Sequence, residues 1–121
     1  MIYGIGIDSV DLERFERLLQ KWGKKLAARI LTPLEMDYCY QHKAKTASIA
    51  VRFAAKEAFY KCLPPDEQKG AGWHAAEIIN DETGRPRLLP RGRLAETLKD
   101  RSIHVSLSHS ASNAVAIVII E

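Results

Sequence analysis

The sequence predicts an α+β domain: a small antiparallel sheet with a long central helix packed on it. Three stretches carry this expectation. Thr46 to Leu63 is helix-forming throughout and ends at Pro64-Pro65, which cannot continue a helix. Ile2 to Ile7 alternates isoleucines with glycine and tyrosine, the period of a strand, and its glycines let another backbone approach closely. Ile103 to Ile120 reads as a hairpin, with Val105, Leu107 and His109 on one side of its first strand and Ser106 and Ser108 on the other. Ser110 to Asn113 forms its turn. Ala114 to Ile120 is apolar on both faces, so either helices or a second copy of the chain would have to cover the second face.

The remaining elements follow in order. Asp8 closes the first strand, and Asp8 or Ser9 caps the next helix, whose positive end suits Asp11 and Glu13. Leu12, Phe15, Leu18, Leu19 and Trp22 give that helix an apolar face, and Arg14, Arg17 and Lys21 an exposed one; Gly23 breaks or ends it. Leu31-Thr32-Pro33-Leu34-Glu35-Met36 is a helix start. Thr32 is the cap, Pro33 takes the first helical position, Glu35 completes a capping box, and Leu31 and Met36 staple it. This short helix runs to about Tyr40, and a basic connection with His42, Lys43 and Lys45 leads to the long helix. Asp66 to Gly72 is a polar, mobile loop, and Trp73 to Asn80 a strand. Asp81 to Arg85 turns at Gly84, Arg87 to Leu89 is a brief strand, and Gly92 to Lys99 a short helix.

The 121 residues form a single domain, 1–121, with enough chain to bury a core. No apolar run reaches the roughly 20 residues of a membrane span, and the first residues lack the pattern of a leader, so a cytoplasmic protein with no membrane partner is expected. Two cysteines, Cys39 and Cys62, make no disulfide framework or zinc knuckle and read as small buried helix residues. The net charge of +3 is concentrated locally. Lys21, Lys24, Lys25 and Arg29 form one patch, and Arg85 to Arg101 holds six basic residues against Glu96 and Asp100. Such patches suit a phosphate-rich ligand, a polyanion or an acidic protein, and each by itself is also an ordinary solvated face.

On the long helix, Ala50, Ala54, Ala58 and Cys62 form a small-residue stripe that lets it lie close against another element. Glu57 and Lys61 stand one turn apart on a different face. Asp8 and His109 each follow or end a strand. Singly, each has a plain interpretation. Asp8 is a helix cap, Glu57 and Lys61 form a helical ion pair worth about 0.2–0.5 kcal/mol, and His109 is a solvated histidine.

Together these segments resemble a known family. Gly4-Ile5-Gly6-Ile7-Asp8 with Arg14-Phe15, then Arg52-Phe53-Ala54-Ala55-Lys56-Glu57-Ala58 with Lys61, then Val105-Ser106-Leu107-Ser108-His109-Ser110, match in order and spacing the three motifs of the small bacterial holo-[acyl-carrier-protein] synthases. Gly84-Arg85-Pro86 falls where that family has a Gly-basic-Pro turn. The resemblance spans nearly the whole chain and implies the 4'-phosphopantetheinyl transferase fold. It also implies a reaction, in which the phosphopantetheine arm of coenzyme A passes to a serine hydroxyl of apo acyl carrier protein and adenosine 3',5'-bisphosphate leaves.

The resemblance assigns roles by position. Asp8 and Glu57 would hold Mg²⁺, a cation that typically takes one or two carboxylates and fills its shell with water and phosphate oxygens. Lys61 would grip a phosphate. His109, with Ser108, would sit near the coenzyme phosphates, His109 serving in binding or proton traffic, and Arg52, Lys43, Gly84 and Pro86 would contribute to coenzyme A binding. Arg14 matches a contact to the carrier protein, and Arg17 and Lys21 extend that basic face toward an acidic partner. Members of this size are homotrimers with sites between subunits. Two departures stand out. Cys62-Leu63-Pro64-Pro65-Asp66 replaces an Ala-Leu-Gly segment that leads into a glycine-rich loop, and Val51 replaces a glycine before the Arg-Phe pair.

The competing interpretation is a small basic nucleic-acid-binding module. It lacks a recognisable motif, has few aromatics for stacking, and leaves Asp8, Glu57 and His109 without a task.

Overall fold

The computed structural model describes all residues, Met1–Glu121. Its centre is the contact between a long helix, α3 (Lys45–Cys62), and a three-stranded antiparallel sheet of β1 (Gly4–Asp11), β5 (Asn113–Ile120) and β4 (Ile103–His109), in the order β1-β5-β4. Between β1 and α3 lie α1 (Leu12–Ile30) and α2 (Pro33–Gln41). After α3 come α4 (Pro65–Gln68), a single 3₁₀ turn (Trp73–Ala75), the two-stranded ribbon of β2 (Ala76–Asn80) and β3 (Pro86–Pro90), and α5 (Arg93–Thr97). No helix is long and apolar enough to cross a membrane.

Small residues set the depth of the central contact. Ala54 and Ala58 of α3 are fully buried, as are Ala114, Ala116, Val118 and Ile120 on the inner face of β5. Opposite them, a Cβ at Gly6 would collide with the Ala58 carbonyl, and one at Gly4 with that of Cys62. The alanine stripe and the strand glycines are therefore the two halves of one close approach, which places β1 against the helical turns carrying Glu57 and Lys61.

The register Gly6↔Val118↔Val105 sends Ile5, Ile7, Val115, Ile117 and Ile119 to the opposite face of the sheet. No element of the chain covers that face: Ile5 and Ile7 remain 58% and 59% exposed, and Val115, Ile117 and Ile119 are only partly covered. The doubly apolar character of β5 thus splits into a helix-covered side and an open side.

Several boundaries differ from those expected. β1 continues to Asp11, because its pairing with β5 runs on through Val10↔Ala114 and Asp11↔Asn113. Asp8 therefore lies within the strand, and neither it nor Ser9 is the cap; Asp11 caps α1, its Oδ1 accepting from the Arg14 N–H at 3.0 Å. Gly23 breaks α1 at φ 60°, ψ −146°, and the helix resumes to bury Ala27 and Ile30. Leu18 and Trp22, expected on a buried face, are 41% and 54% exposed. The expected mobile loop at Asp66–Gly72 begins with α4 and is tied down. Glu67 accepts from the Tyr3 hydroxyl at 2.6 Å, and Arg93 donates to the carbonyls of Glu67 and Lys69. The capping box of α2 is present as expected, with Thr32, Pro33 and Glu35 in their assigned positions.

Candidate active site

Glu35 has a second task beyond its cap. Its side chain is buried, and it accepts from the Thr32 N–H (2.8 Å), the Ile78 N–H (2.6 Å) and the Lys56 ammonium (2.6 Å). Lys56, equally buried, spends its other two hydrogens on the carbonyls of Trp73 (3.0 Å) and Ala76 (2.9 Å). Burial pushes the Lys56 pKa down and the Glu35 carboxylate opposes that shift. With every hydrogen of the ammonium placed, the pair locks α2, α3 and the start of β2 together one residue before Glu57 in α3. Leaving either partner alone in that interior would cost about 3–5 kcal/mol.

Asp8, Asp11, Arg14, Glu57 and Lys61 line one cavity of about 570 Å³. Its other wall is apolar, with Phe15, Leu26, Ile30, Phe53 and Trp73. Asp8 reaches it because the strand alternation turns Gly6 and Asp8 toward α3. Lys61 reaches back across the β1–α3 contact and donates to the Ile7 carbonyl at 2.9 Å and to Asp8 Oδ1 at 3.1 Å. The helical pair with Glu57 is not made; Lys61 bonds Asp8 instead. Glu57 is half-buried and accepts a long bond from the Trp73 indole N–H at 3.4 Å.

No three histidine, cysteine or acidic side chains lie close enough together to hold a metal ion among themselves. Of the three carboxylates lining the cavity, Asp11 is engaged as the cap of α1, and the other two, Asp8 and Glu57, fit a hard divalent cation that completes its shell with water and phosphate oxygens. Such a cation would be held by Asp8 and Glu57, with Lys61 alongside as a separate positive group.

Other expected residues lie elsewhere. Arg17 is held by Glu13 at 3.1 Å on exposed α1, and the Lys21 ammonium stands 5.2 Å from the Trp22 ring. Lys43 is exposed between α2 and α3. His109 and Ser108 end β4, which is the sheet edge opposite β1. Gly84 turns the β2–β3 ribbon at φ 86°, and Pro86 lines a second cavity, about 760 Å³, with Arg85, Arg87, His104 and Ser106. Arg52 is buried rather than presented to solvent. It donates to the Ser48 carbonyl and hydroxyl (each 3.0 Å) and to Asn80 Oδ1 (3.1 Å), and Asn80 in turn donates to the Gly84 carbonyl at 3.0 Å. Its place is behind the Gly84–Pro86 turn, which it braces.

Sequence reasoning did not single out Trp73 or the Glu35–Lys56 pair. Lys56 lies inside the central motif, so it was visible as a motif residue. Glu35 looked complete as a cap, and nothing local marks a capping glutamate as buried.

A strand carboxylate, a helix carboxylate and a lysine around one cavity are the parts of a site for a phosphate-bearing substrate. The model of the 4'-phosphopantetheinyl transferase superfamily matches residues 4–119. The holo-[acyl-carrier-protein] synthase of Geobacter sulfurreducens is 42% identical over 124 residues, spanning 100% of this chain and 98% of that protein. The protein of the same name from Geobacillus sp. is 45% identical over 123 residues, spanning 100% and 98%. Among solved structures, the holo-[acyl-carrier-protein] synthase of Neisseria meningitidis superposes with a TM-score of 0.84 at 35% identity, covering 100% of this chain and 99% of that one. The Bacillus anthracis protein in complex with CoA (3',5'-ADP) superposes with a TM-score of 0.79 at 35% identity, covering 99% and 96%. The chain belongs to the 4'-phosphopantetheinyl transferase superfamily.

Proposed function

We propose that the chain is a holo-[acyl-carrier-protein] synthase, working in the cytoplasm. It transfers the 4'-phosphopantetheine arm of coenzyme A to a serine hydroxyl of apo acyl carrier protein and releases adenosine 3',5'-bisphosphate. The observation that carries this reading is the convergence of Asp8, Glu57, Lys61 and Arg14 on one cavity in a chain of this family. The serine oxygen bonds to phosphorus, the bond to the bisphosphate oxygen breaks, and the serine proton leaves to a cavity carboxylate or to water. Transfer of this kind depends on positioning and on neutralising charge.

Asp8 and Glu57 are the residues that would hold Mg²⁺. That cation, when bound, neutralises pyrophosphate oxygens. Lys61 uses two of its three ammonium hydrogens on Ile7 and Asp8, which leaves the third for a phosphate oxygen. Arg14, exposed at the rim, faces an acidic carrier surface, with Arg17 and Lys21 behind it on the same helix. Rim charges of this type chiefly raise the rate of encounter.

The active form is proposed to be a homotrimer with each site between two subunits. Two features support this. The open sheet face carries Ile5, Ile7, Ile117 and Ile119 in register, a patch that a second copy would cover. The site residues also divide between opposite sheet edges, with Asp8 on β1 and Ser108 and His109 on β4, so one chain alone keeps the coenzyme-binding set apart from the carboxylates. A neighbouring subunit would bring Ser108, His109, Lys43 and the Gly84–Pro86 turn to the cavity of the first.

Incubation with coenzyme A, Mg²⁺ and an apo carrier protein, followed by mass spectrometry, tests the function. The carrier gains the mass of one phosphopantetheine arm. No gain across several carriers would sink the proposal.

A further inference from the structure

We infer that Trp73 is a positioning residue for Glu57: its indole N–H fixes one carboxylate oxygen and so orients the other toward the cavity. The inference rests on the proposed role of Glu57 as a cation-holding carboxylate. Glu57 Oε1 receives the Trp73 Nε1–H at 3.4 Å, and no other protein group is hydrogen-bonded to this side chain. A free glutamate on a helix samples several rotamers, and a carboxylate that must be ordered when its ligand arrives binds more weakly.

Trp73 is held at both ends. Its carbonyl accepts from Lys56 at 3.0 Å, and Lys56 is in turn fixed by buried Glu35 at 2.6 Å. Its ring packs on Phe53 with centroids 5.9 Å apart, and Phe53 packs on Phe15 at 5.5 Å. The residue carrying the indole N–H is therefore tied through its backbone to the buried Glu35–Lys56 clamp. The chemistry of the donor also matters. An indole N–H is neutral and donates only, so it steers Glu57 without cancelling its charge. Lys61, one turn away, would cancel that charge if it paired with Glu57, and the structure has it on Asp8 instead. Glu57 thus reaches the cavity as an oriented anion. Partners of this kind, one step out from a metal ligand, change metal affinity or activity by about 10–100-fold when removed.

Trp73→Phe keeps an aromatic ring but removes the pyrrole half of the indole and with it the donor. In the transfer assay the Mg²⁺ concentration for half-maximal rate should rise on the order of 10-fold, while the KM for apo carrier protein and the melting temperature stay close to wild type. An unchanged Mg²⁺ half-saturation overturns the inference. A second measurement leaves Trp73 intact. The chain has two tryptophans, so Trp22→Phe makes Trp73 the sole indole emitter. Titrating Mg²⁺ into that protein with coenzyme A present should change its emission saturably, and adding Glu57→Gln should abolish the change. Emission indifferent to Mg²⁺, or equally responsive with Glu57→Gln, overturns the inference. If Glu57→Gln transfers at the wild-type rate, the proposed role of Glu57 falls, and the inference falls with it.

Discussion

Gly6→Ala tests whether the fold sets the site through the close β1–α3 contact. A Cβ built at Gly6 lies 2.8 Å from the Ala58 carbonyl carbon and 3.2 Å from its Cα, and closer still to the oxygen. Carbon atoms rest at about 3.5–4.0 Å, so strand and helix must part by roughly 1 Å. The added methyl is fixed rigidly to the strand and the group it meets is backbone, so neither can swing aside as a long side chain would. Overpacking with a flexible neighbour costs about 1–3 kcal/mol; with none available here, the loss should lie at or above the top of that range. The same movement carries Glu57 and Lys61 away from Asp8, and a displacement of about 1 Å at reacting groups can cost on the order of 100-fold in rate. Urea unfolding gives the first quantity, and the rate of carrier modification, corrected for the folded fraction, gives the second. Gly72→Ala is the control: its added Cβ meets nothing within 4 Å, its φ is −88°, and its stability should stay within about 0.5 kcal/mol of wild type. Wild-type stability and rate in Gly6→Ala would refute the claim that this contact sets the distance between the carboxylates.

Other outcomes follow from the same geometry. Arg14→Ala should lower kcat/KM for the carrier protein more at low salt than at high salt, while the KM for coenzyme A holds; a salt-independent effect would remove Arg14 from the carrier-binding face. Mixing inactive Glu57→Gln with inactive His109→Ala should restore part of the activity, because a mixed assembly contains sites with both residues intact; no recovery after subunit exchange would argue against sites between subunits. Burial pushes the Cys62 thiol from its ordinary 9.0 up to about 11. Near neutral pH its thiolate fraction is then about a hundredfold below that of an ordinary thiol, so alkylation of the folded protein should be slow and should rise as pH climbs through that value. Rapid alkylation at pH 8 with the fold intact would contradict the buried placement.

Much of the architecture was legible in the sequence because its signals are local. Thr32, Pro33 and Glu35 define the start of α2 within four residues, and Pro64-Pro65 stops α3. The alanine stripe on α3 and the glycines of β1 each announced a close approach, and the structure makes them partners. What stayed hidden depends on pairing between distant segments. Asp8 looked like the end of a strand because Asp8 and Ser9 are both good caps. The ladder to β5 carries β1 three residues further, and only Asp11 is left to cap the helix. Leu18 and Trp22 fit a helical apolar stripe, yet the break at Gly23 and the placement of α1 leave them exposed. Arg52 sits in the central motif beside the site residues, but its guanidinium turns inward to Ser48 and Asn80. Periodicity gives the face of a helix and says little about what stands opposite. The carboxylates themselves, Asp8 and Glu57, were visible as candidates, while the tryptophan between the buried clamp and Glu57 required the fold.

The most direct test of the account compares wild type with Glu57→Gln, which keeps the shape and one accepting oxygen but removes the charge. With Mg²⁺, coenzyme A and an apo carrier protein, wild type should add the phosphopantetheine arm. Glu57→Gln, with the same circular dichroism and melting temperature, should transfer at a rate lower by at least about two orders of magnitude. Equal rates for the two proteins would contradict the central claim that the Asp8–Glu57 cavity carries the reaction.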